Sequence, residues 1–377
     1  MPRRGTVLIR PELDDEALHR TLAQVRPGRQ LHGLGADHGR ALWQPAARLL
    51  RATGPDWDRR AHRVSVLAAA LPPATTERWC ADRPRDPDAL VVRAGLDAWH
   101  TITTGRTSEA AAGRSCRQAA EAWPEDPTPW LALLSVRCAL GSAERHVRPI
   151  WHEVVARDPG NRAAHHEFLR YLSPRRHGSL LAMTDFARTC GRNSSPLAIL
   201  PLAGRVEQFA WNAHRGDAGV LGARLRWHEE DIADELDHAI AGLFHAGTPS
   251  HAAAVADLNI LAFVLTRTRR TTDAAPIFRR LGGHMTRYPW NLTRYPVDAY
   301  TYWREQAYRQ PRPGTIKRPH EIAPRAFRSA GRGLSRDRLW RASGGGLSEE
   351  DAVAQESFES FGGAEAVDSV DVHLPRR

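Results

Sequence analysis

Glu235 and His238 stand three residues apart in the run His228-Glu229-Glu230-Asp231-Ile232-Ala233-Asp234-Glu235-Leu236-Asp237-His238. A carboxylate and an imidazole at i and i+3 on a helix project to one side, the spacing by which carboxylate-bridged metal centres are built inside helix bundles. The apolar pattern of the same helix weighs against that chemistry. Ile232, Leu236, Ala239, Ile240 and Leu243 define its buried stripe. At about 100° per residue, Glu235 falls about a quarter turn from that stripe, and Asp231 and His238 fall near the opposite face. The cluster is expected to face solvent unless another helix covers it, so the sequence assigns no metal ligand and no cofactor.

Two other groups could carry chemistry. In His165-His166-Glu167 the adjacent imidazoles point about 100° apart on a helix and cannot easily share an ion. One is expected at a helix interface and the other exposed. The segment from Arg287 to Tyr308 holds five of the six tyrosines (Tyr288, Tyr295, Tyr300, Tyr302 and Tyr308), with Trp290 and Trp303, and it repeats Arg-Tyr-Pro at 287 and 294. Arginines interleaved with aromatics can stack on bases and hold phosphates or anchor a protein partner. The same composition suits a closing element whose tyrosines cover the last helices and keep their hydroxyls wet, and that reading is preferred. No P-loop, dinucleotide fingerprint, nucleophile elbow or His-Glu-x-x-His is present, so no catalytic residue is assigned. Cys80, Cys116, Cys138 and Cys190 are scattered, without the close pairs of zinc or redox sites, and sit among apolar residues as small hydrophobes.

The elements that must position these residues are helices. Asp86-Pro87, Asp126-Pro127 and Asp158-Pro159 each introduce a helix-patterned segment, and Gly105 and Gly141 divide the segments between them into hairpins. Proline suits a helix start, where its missing N–H has no partner to lose, and the aspartate before it can accept a hydrogen bond from the first turn. Thr107 or Ser108 is placed to cap the first return helix, Ser142 the second, and Asp56 an earlier helix. Val147, Ile150, Trp151, Val154 and Val155 form a clear one-face stripe. No strand alternation is evident, so the fold class is all-α.

These residues resemble the tetratricopeptide family, whose helical hairpins repeat at about 34 residues. Asp126-Pro127 and Asp158-Pro159 are similar to its inter-repeat proline, and Trp130 and Leu133 to its first-helix aromatic and leucine. The spacing varies and Leu134 stands where a small residue is expected, so the resemblance is to a divergent array over about residues 84–190. It implies a right-handed α-solenoid with a concave surface for a peptide or protein.

The sequence divides into an N-terminal helical region (1–83), a helical-repeat array with an aromatic cap (84–310) and a tail (311–377) that is first basic and then acidic. The tail is expected to be disordered, because it offers little apolar surface to offset ordering entropy, and its two halves carry charges that attract. The formal net charge is +10, nearly all from arginine. With abundant Ala, Gly and Pro, that bias points to coding composition more than to a binding adaptation. The longest apolar stretch, around 252–265, is interrupted by Asp257 and Asn259 and falls short of a membrane span. The expectation is a soluble cytoplasmic scaffold for a protein or peptide. A nucleic-acid-associated regulator using residues 287–308 and the basic tail, and a helical metalloprotein or enzyme centred on Glu235 and His238, stand as alternatives.

Overall fold

The computed structural model describes residues 6–25, 42–193, 197–213, 227, 231–244 and 251–309. Among them every regular element is a helix, apart from one isolated parallel bridge between Leu8 and His284. The first four helices are α1 (Glu16–Val25), α2 (Gln44–Thr53), α3 (Trp57–Ala70) and α4 (Pro73–Asp82). Hairpins follow: α5 (Pro87–Thr103) with α6 (Glu109–Ala122), α7 (Thr128–Ala139) with α8 (Glu144–Arg157), and α9 (Arg162–Tyr171) with α10 (Leu180–Asn193). The remainder comprises α11 (Leu200–Ala213), α12 (Asp231–Phe244), α13 (Ala254–Arg267), α14 (Thr271–Leu281), the short α15 (Arg287–Trp290) and α16 (Pro296–Arg309). No helix among the described residues is long and apolar enough to cross a membrane. The expected tail, 311–377, and His228, Glu229 and Glu230 lie outside the described residues.

Four of the helix starts expected from the sequence are capped by the preceding polar residue, and two depart. Asp86 accepts from the Asp88 N–H at 3.0 Å and Asp126 from that of Thr128 at 2.8 Å. Asp56 caps α3 through Arg59 and Ser108 caps α6 through Ala111. Each such bond satisfies one orphan donor and contributes about 1 kcal/mol. The third Asp-Pro behaves differently. Asn161 caps α9 by accepting from the Ala164 N–H at 3.0 Å, while Asp158 accepts from the Asn161 amide at 2.9 Å. Pro159-Gly160 thus form a turn ahead of the helix, and the aspartate orients the cap. Ser142 does not cap α8 either. Ala143 occupies that position without a side-chain bond, and the Ser142 carbonyl accepts from the Tyr171 hydroxyl at 2.8 Å. Gly141, at φ 70°, makes the left-handed turn between α7 and α8 that a residue with a Cβ would resist.

Successive hairpins pack side by side: α5 lies against α6 and α7, and α7 against α8 and α9. One apolar cluster runs from Leu18 to Val136; the other takes in Leu13 and Ala61 with residues from Leu131 to Ala307. Helix α7 is shared, with Leu133 and Val136 in the first cluster and Leu131, Leu134 and Cys138 in the second. Trp130 and Ile150 pack against both.

Helix α3 is central, touching α1, α2, α5, α7 and α9. Residues Arg60 to Ala68 are all buried, including Arg60, His62 and Arg63. Arg60 has no exposed surface; its Nε donates to Asp126 at 2.6 Å and its Nη1 to Asp88 at 2.7 Å. One guanidinium therefore joins α3 to the starts of both α5 and α7. Burial works against its charge, and Asp126 with Asp88 more than reverses that, holding the guanidinium pKa above its usual value. Asp88 stays above the usual carboxylate range because burial outweighs the pull of Arg60.

Removing one partner of a buried ion pair costs about 3–5 kcal/mol. Asp126→Ala should therefore lower unfolding stability in urea by about that amount, since it also removes the cap of α7. Asp126→Asn keeps an oxygen for the Thr128 N–H and should be milder by about 1 kcal/mol. Equal losses in the two variants would show that the cap contributes nothing.

Candidate functional site

The start of α13 is fastened to α3 and α9 beside a small internal void. Helices α3, α5, α7 and α9 line one side of the void, and the residues that begin α13 close it. The Ala252 N–H donates to Asp58 of α3 at 2.6 Å, and Arg162 of α9 grips Asp257 of α13, its Nε 2.8 Å from each carboxylate oxygen. The space left among Asp58, His62, Thr128, Ser135 and Arg162 is about 30 Å³, far too small for a peptide side chain.

The Arg162–Asp257 pair also gathers the histidines. His166 Nε2 lies 3.7 Å from Asp257 Oδ1, and His251 Nε2 lies 3.2 Å from Oδ2. Burial alone would raise the Asp257 pKa; Arg162 and His251 reverse that and hold it far below the usual carboxylate range. His165 is buried, with Nδ1 2.8 Å from the Asn161 carbonyl. His166, expected as a possible exposed partner, is also largely covered, with 12% of its side chain accessible. The reason is tertiary: α13 packs over the face of α9 that the periodicity leaves open. Burial, with Arg162 adding to it, pushes the His166 pKa well below the ordinary imidazole value.

Glu235 and His238 do not come together as ligands. Glu235 is held by Arg205 at 3.0 Å from α11 and lies 3.6 Å from Arg188 of α10. His238 has Nε2 3.1 Å from the Gly191 carbonyl, which fixes that nitrogen as a donor. Asp231 is exposed and pairs with Arg188 at 2.8 Å. Asp231 and His238 are thus exposed as the periodicity implies, although each still meets α10 at one polar contact, and Glu235 is held between Arg188 and Arg205. A second Glu-x-x-His, Glu16 to His19, lies on α1, where His19 meets Glu12 at 2.5 Å. Among the described residues no group of three His, Cys, Asp or Glu side chains is arranged to hold a metal ion. The cysteines are poor nucleophiles: burial pushes the Cys116 thiol up to about 12 and Cys138 well above its usual value.

The aromatic segment divides into an inner and an outer set. Trp290 and Tyr300 are fully buried, their rings 5.3 Å apart, and Trp290 donates to Asn259 at 2.9 Å. Phe263 and Phe278 complete this cluster at 5.4 Å from Trp290 and Tyr300 respectively. Tyr288 donates to Glu207 of α11 at 2.8 Å. Tyr295, Tyr302 and Tyr308 remain exposed. The inner set packs against Phe263 of α13 and Phe278 of α14.

An open concavity lies beside the turns that flank α3 and α5. It is a cleft of about 700 Å³ between the end of α2, the turn joining α4 to α5, and Trp123 at the end of α6. Gly54, at φ 57° and ψ −137°, turns the chain at its edge in a conformation that suits glycine alone. Leu50, Pro84, Pro87 and Trp123 supply apolar surface, and Arg51, Arg83 and Arg85 stand exposed on the rim. The carboxylates beside them already have partners. Asp82 pairs with Arg78 at 2.9 Å, Asp86 accepts from Trp79 Nε1 at 3.3 Å, and Asp88 holds Arg60. Among the described residues no carboxylate bridges the three rim arginines. Trp123 is backed by Arg60, whose guanidinium carbon lies 4.7 Å from the ring centroid, and by Trp57 at 5.1 Å. Sequence reading passed over this place because its parts come from three separated turns, none with a motif of its own.

No protein-family model and no curated protein sequence matches the chain.

The buried histidines make stability pH-dependent in a defined direction. Burial depresses the pKa of His62, His165 and His166 in the fold, while unfolded histidine titrates at about 6.5. Below that pH the unfolded chain takes up protons that the folded chain refuses, so the contribution is full above about 6.5 and declines as pH falls. The urea midpoint should drop between pH 7 and pH 5, and His62→Gln with His166→Gln should flatten that drop. A midpoint independent of pH over this range would contradict the burial of these rings.

Proposed function

We propose that the chain is a non-catalytic docking protein, a divergent tetratricopeptide-like hairpin array, that binds a short stretch of polypeptide in the Arg51–Arg83–Trp123 cleft. The observation that carries this reading is the asymmetry of the cleft. Its carboxylates are satisfied from within the fold, whereas Arg51, Arg83 and Arg85 are exposed beside a braced indole, with Arg83 resting over the Trp43 ring at 5.9 Å. Arginine and tryptophan are the residues most often responsible for binding energy at protein interfaces, and a cleft of this size accommodates a few side chains of a peptide. The buried ionisable groups support the same reading. Arg60 and Arg63 of α3, Arg162 of α9 and Arg205 of α11 are each engaged in ion pairs that join helices. A soluble cytoplasmic setting belongs with this proposal.

The nucleic-acid alternative draws less support, because Trp290 and Tyr300 of the Arg287–Tyr308 segment are spent in the core. Peptide selection on the full-length chain, followed by amide hydrogen exchange, tests the docking reading. The expected result is saturable binding in the micromolar range with protection confined to residues 50–54, 83–88 and 123. Failure to select any peptide, or protection confined to other helices, would overturn it. Binding of single-stranded nucleic acid that weakens steeply with salt would favour the alternative.

A further inference from the structure

We infer that the occupant of this cleft is the chain's own acidic segment, residues 349–371. The inference rests on the docking reading above and specifies its ligand. Eight carboxylates, from Glu349 to Asp371, lie in this stretch without a single lysine or arginine, and Phe358 and Phe361 sit among them. The cleft offers the complementary set: Arg51, Arg83 and Arg85 around Leu50, Pro84 and Trp123. In particular Glu356-Ser357-Phe358-Glu359 places an aromatic ring between two carboxylates, matching an apolar floor with a cationic rim. Acidic partners in general would satisfy the arginines, but this one is tethered. Tethering through tens of residues gives an effective concentration up to the millimolar range, which an untethered peptide must exceed to compete.

The tether is long enough. From Arg309, the last described residue, to Glu349 is a separation of 40 residues, which extended chain covers to about 130 Å. A compact domain of about 310 residues has a radius of gyration near 20 Å, so the segment can reach any face. The arginines between 312 and 341 compete for the same carboxylates. Those of the cleft have the advantage of a backbone already fixed by the fold, so less freedom is lost when they pair. The consequence is self-occupancy: an external acidic peptide must displace residues 349–371 before it docks.

The test uses the full-length chain with p-benzoylphenylalanine in place of Phe358. Irradiation and peptide mapping should place cross-links on residues 50–54, 83–88 or 123. Their yield should fall at least tenfold in R51E/R83E/R85E, whose exposed positions leave the helical circular dichroism unchanged. Cross-links confined to residues 312–341, or an undiminished yield in the triple variant, would overturn the inference.

A second arm adds a synthetic peptide of residues 347–372 in trans. It should bind a full-length variant whose eight segment carboxylates are replaced by amides at least tenfold more tightly than it binds the natural chain. Equal binding to both overturns self-occupancy. If the neutralised variant takes selected peptides but not this one, the docking function stands and the inference falls. If it takes no peptide, both fall.

Discussion

The guanidinium of Arg60 sets the conditions for the rest of the structure. A charge with no exposed surface cannot be left alone in a protein interior, because desolvation would cost several kcal/mol. Two carboxylates are brought to it from 28 and 66 residues away in sequence. Each belongs to a helix start. Asp88 lies in the first turn of α5, and Asp126 both holds Arg60 and caps α7. The angle between α3 and the first two hairpins is therefore fixed by hydrogen-bond geometry as well as by apolar packing. The indole of Trp123 then covers the outer side of the same guanidinium. The ion pair that organises the core thus also braces one wall of the open cleft.

Similar links recur along the chain and give the interior its specificity. Arg63 reaches Asp15 at 2.7 Å and Thr53 at 2.7 Å, tying α3 to the residues before α1 and to the end of α2. Arg162 reaches Asp257, and Arg205 reaches Glu235. Apolar contacts alone would tolerate sliding of one helix along another, since burial is not directional. A bidentate arginine is directional, and each of these selects one register. The energetic value of such pairs lies less in net stability than in the loss incurred when one partner is missing.

How far this was legible in the sequence follows from the range of each interaction. Helices and their caps depend on residues within four positions, so Asp56, Asp86 and Asp126 could be assigned by inspection, and the cap of α6 could be narrowed to Thr107 or Ser108, of which the fold uses Ser108. The cap of α9 was displaced to Asn161 because Pro159-Gly160 insert a turn, a choice among local options that composition does not decide. The faces of α12 followed from periodicity, and Asp231 and His238 are exposed accordingly. Helix α3 escaped this logic. Its arginines and histidine look like a solvated face at helical spacing, yet five helices surround it and their carboxylates arrive from distant segments. His166 was misjudged for the same reason, since the cover over it comes from α13. Single-helix patterning reports amphipathicity, and it fails where polar residues are buried in pairs.

The attachment of α13 also bears on where any ligand can sit. In an extended hairpin array the first helices of successive repeats leave a continuous concave face. Here Ala252 bonds to Asp58 and Asp257 bonds to Arg162, so the start of α13 is fastened across α3 and α9. A ligand seeking this surface would have to break a buried ion pair before making any contact of its own, and peptide binding rarely supplies several kcal/mol in surplus. Recognition is thereby displaced to the outer turns, where Gly54, the Arg83–Asp88 connection and Trp123 meet. At that place the fold has spent its carboxylates and left its arginines exposed. The charge that the interior could not accommodate is presented at the rim, on a backbone the interior has already fixed.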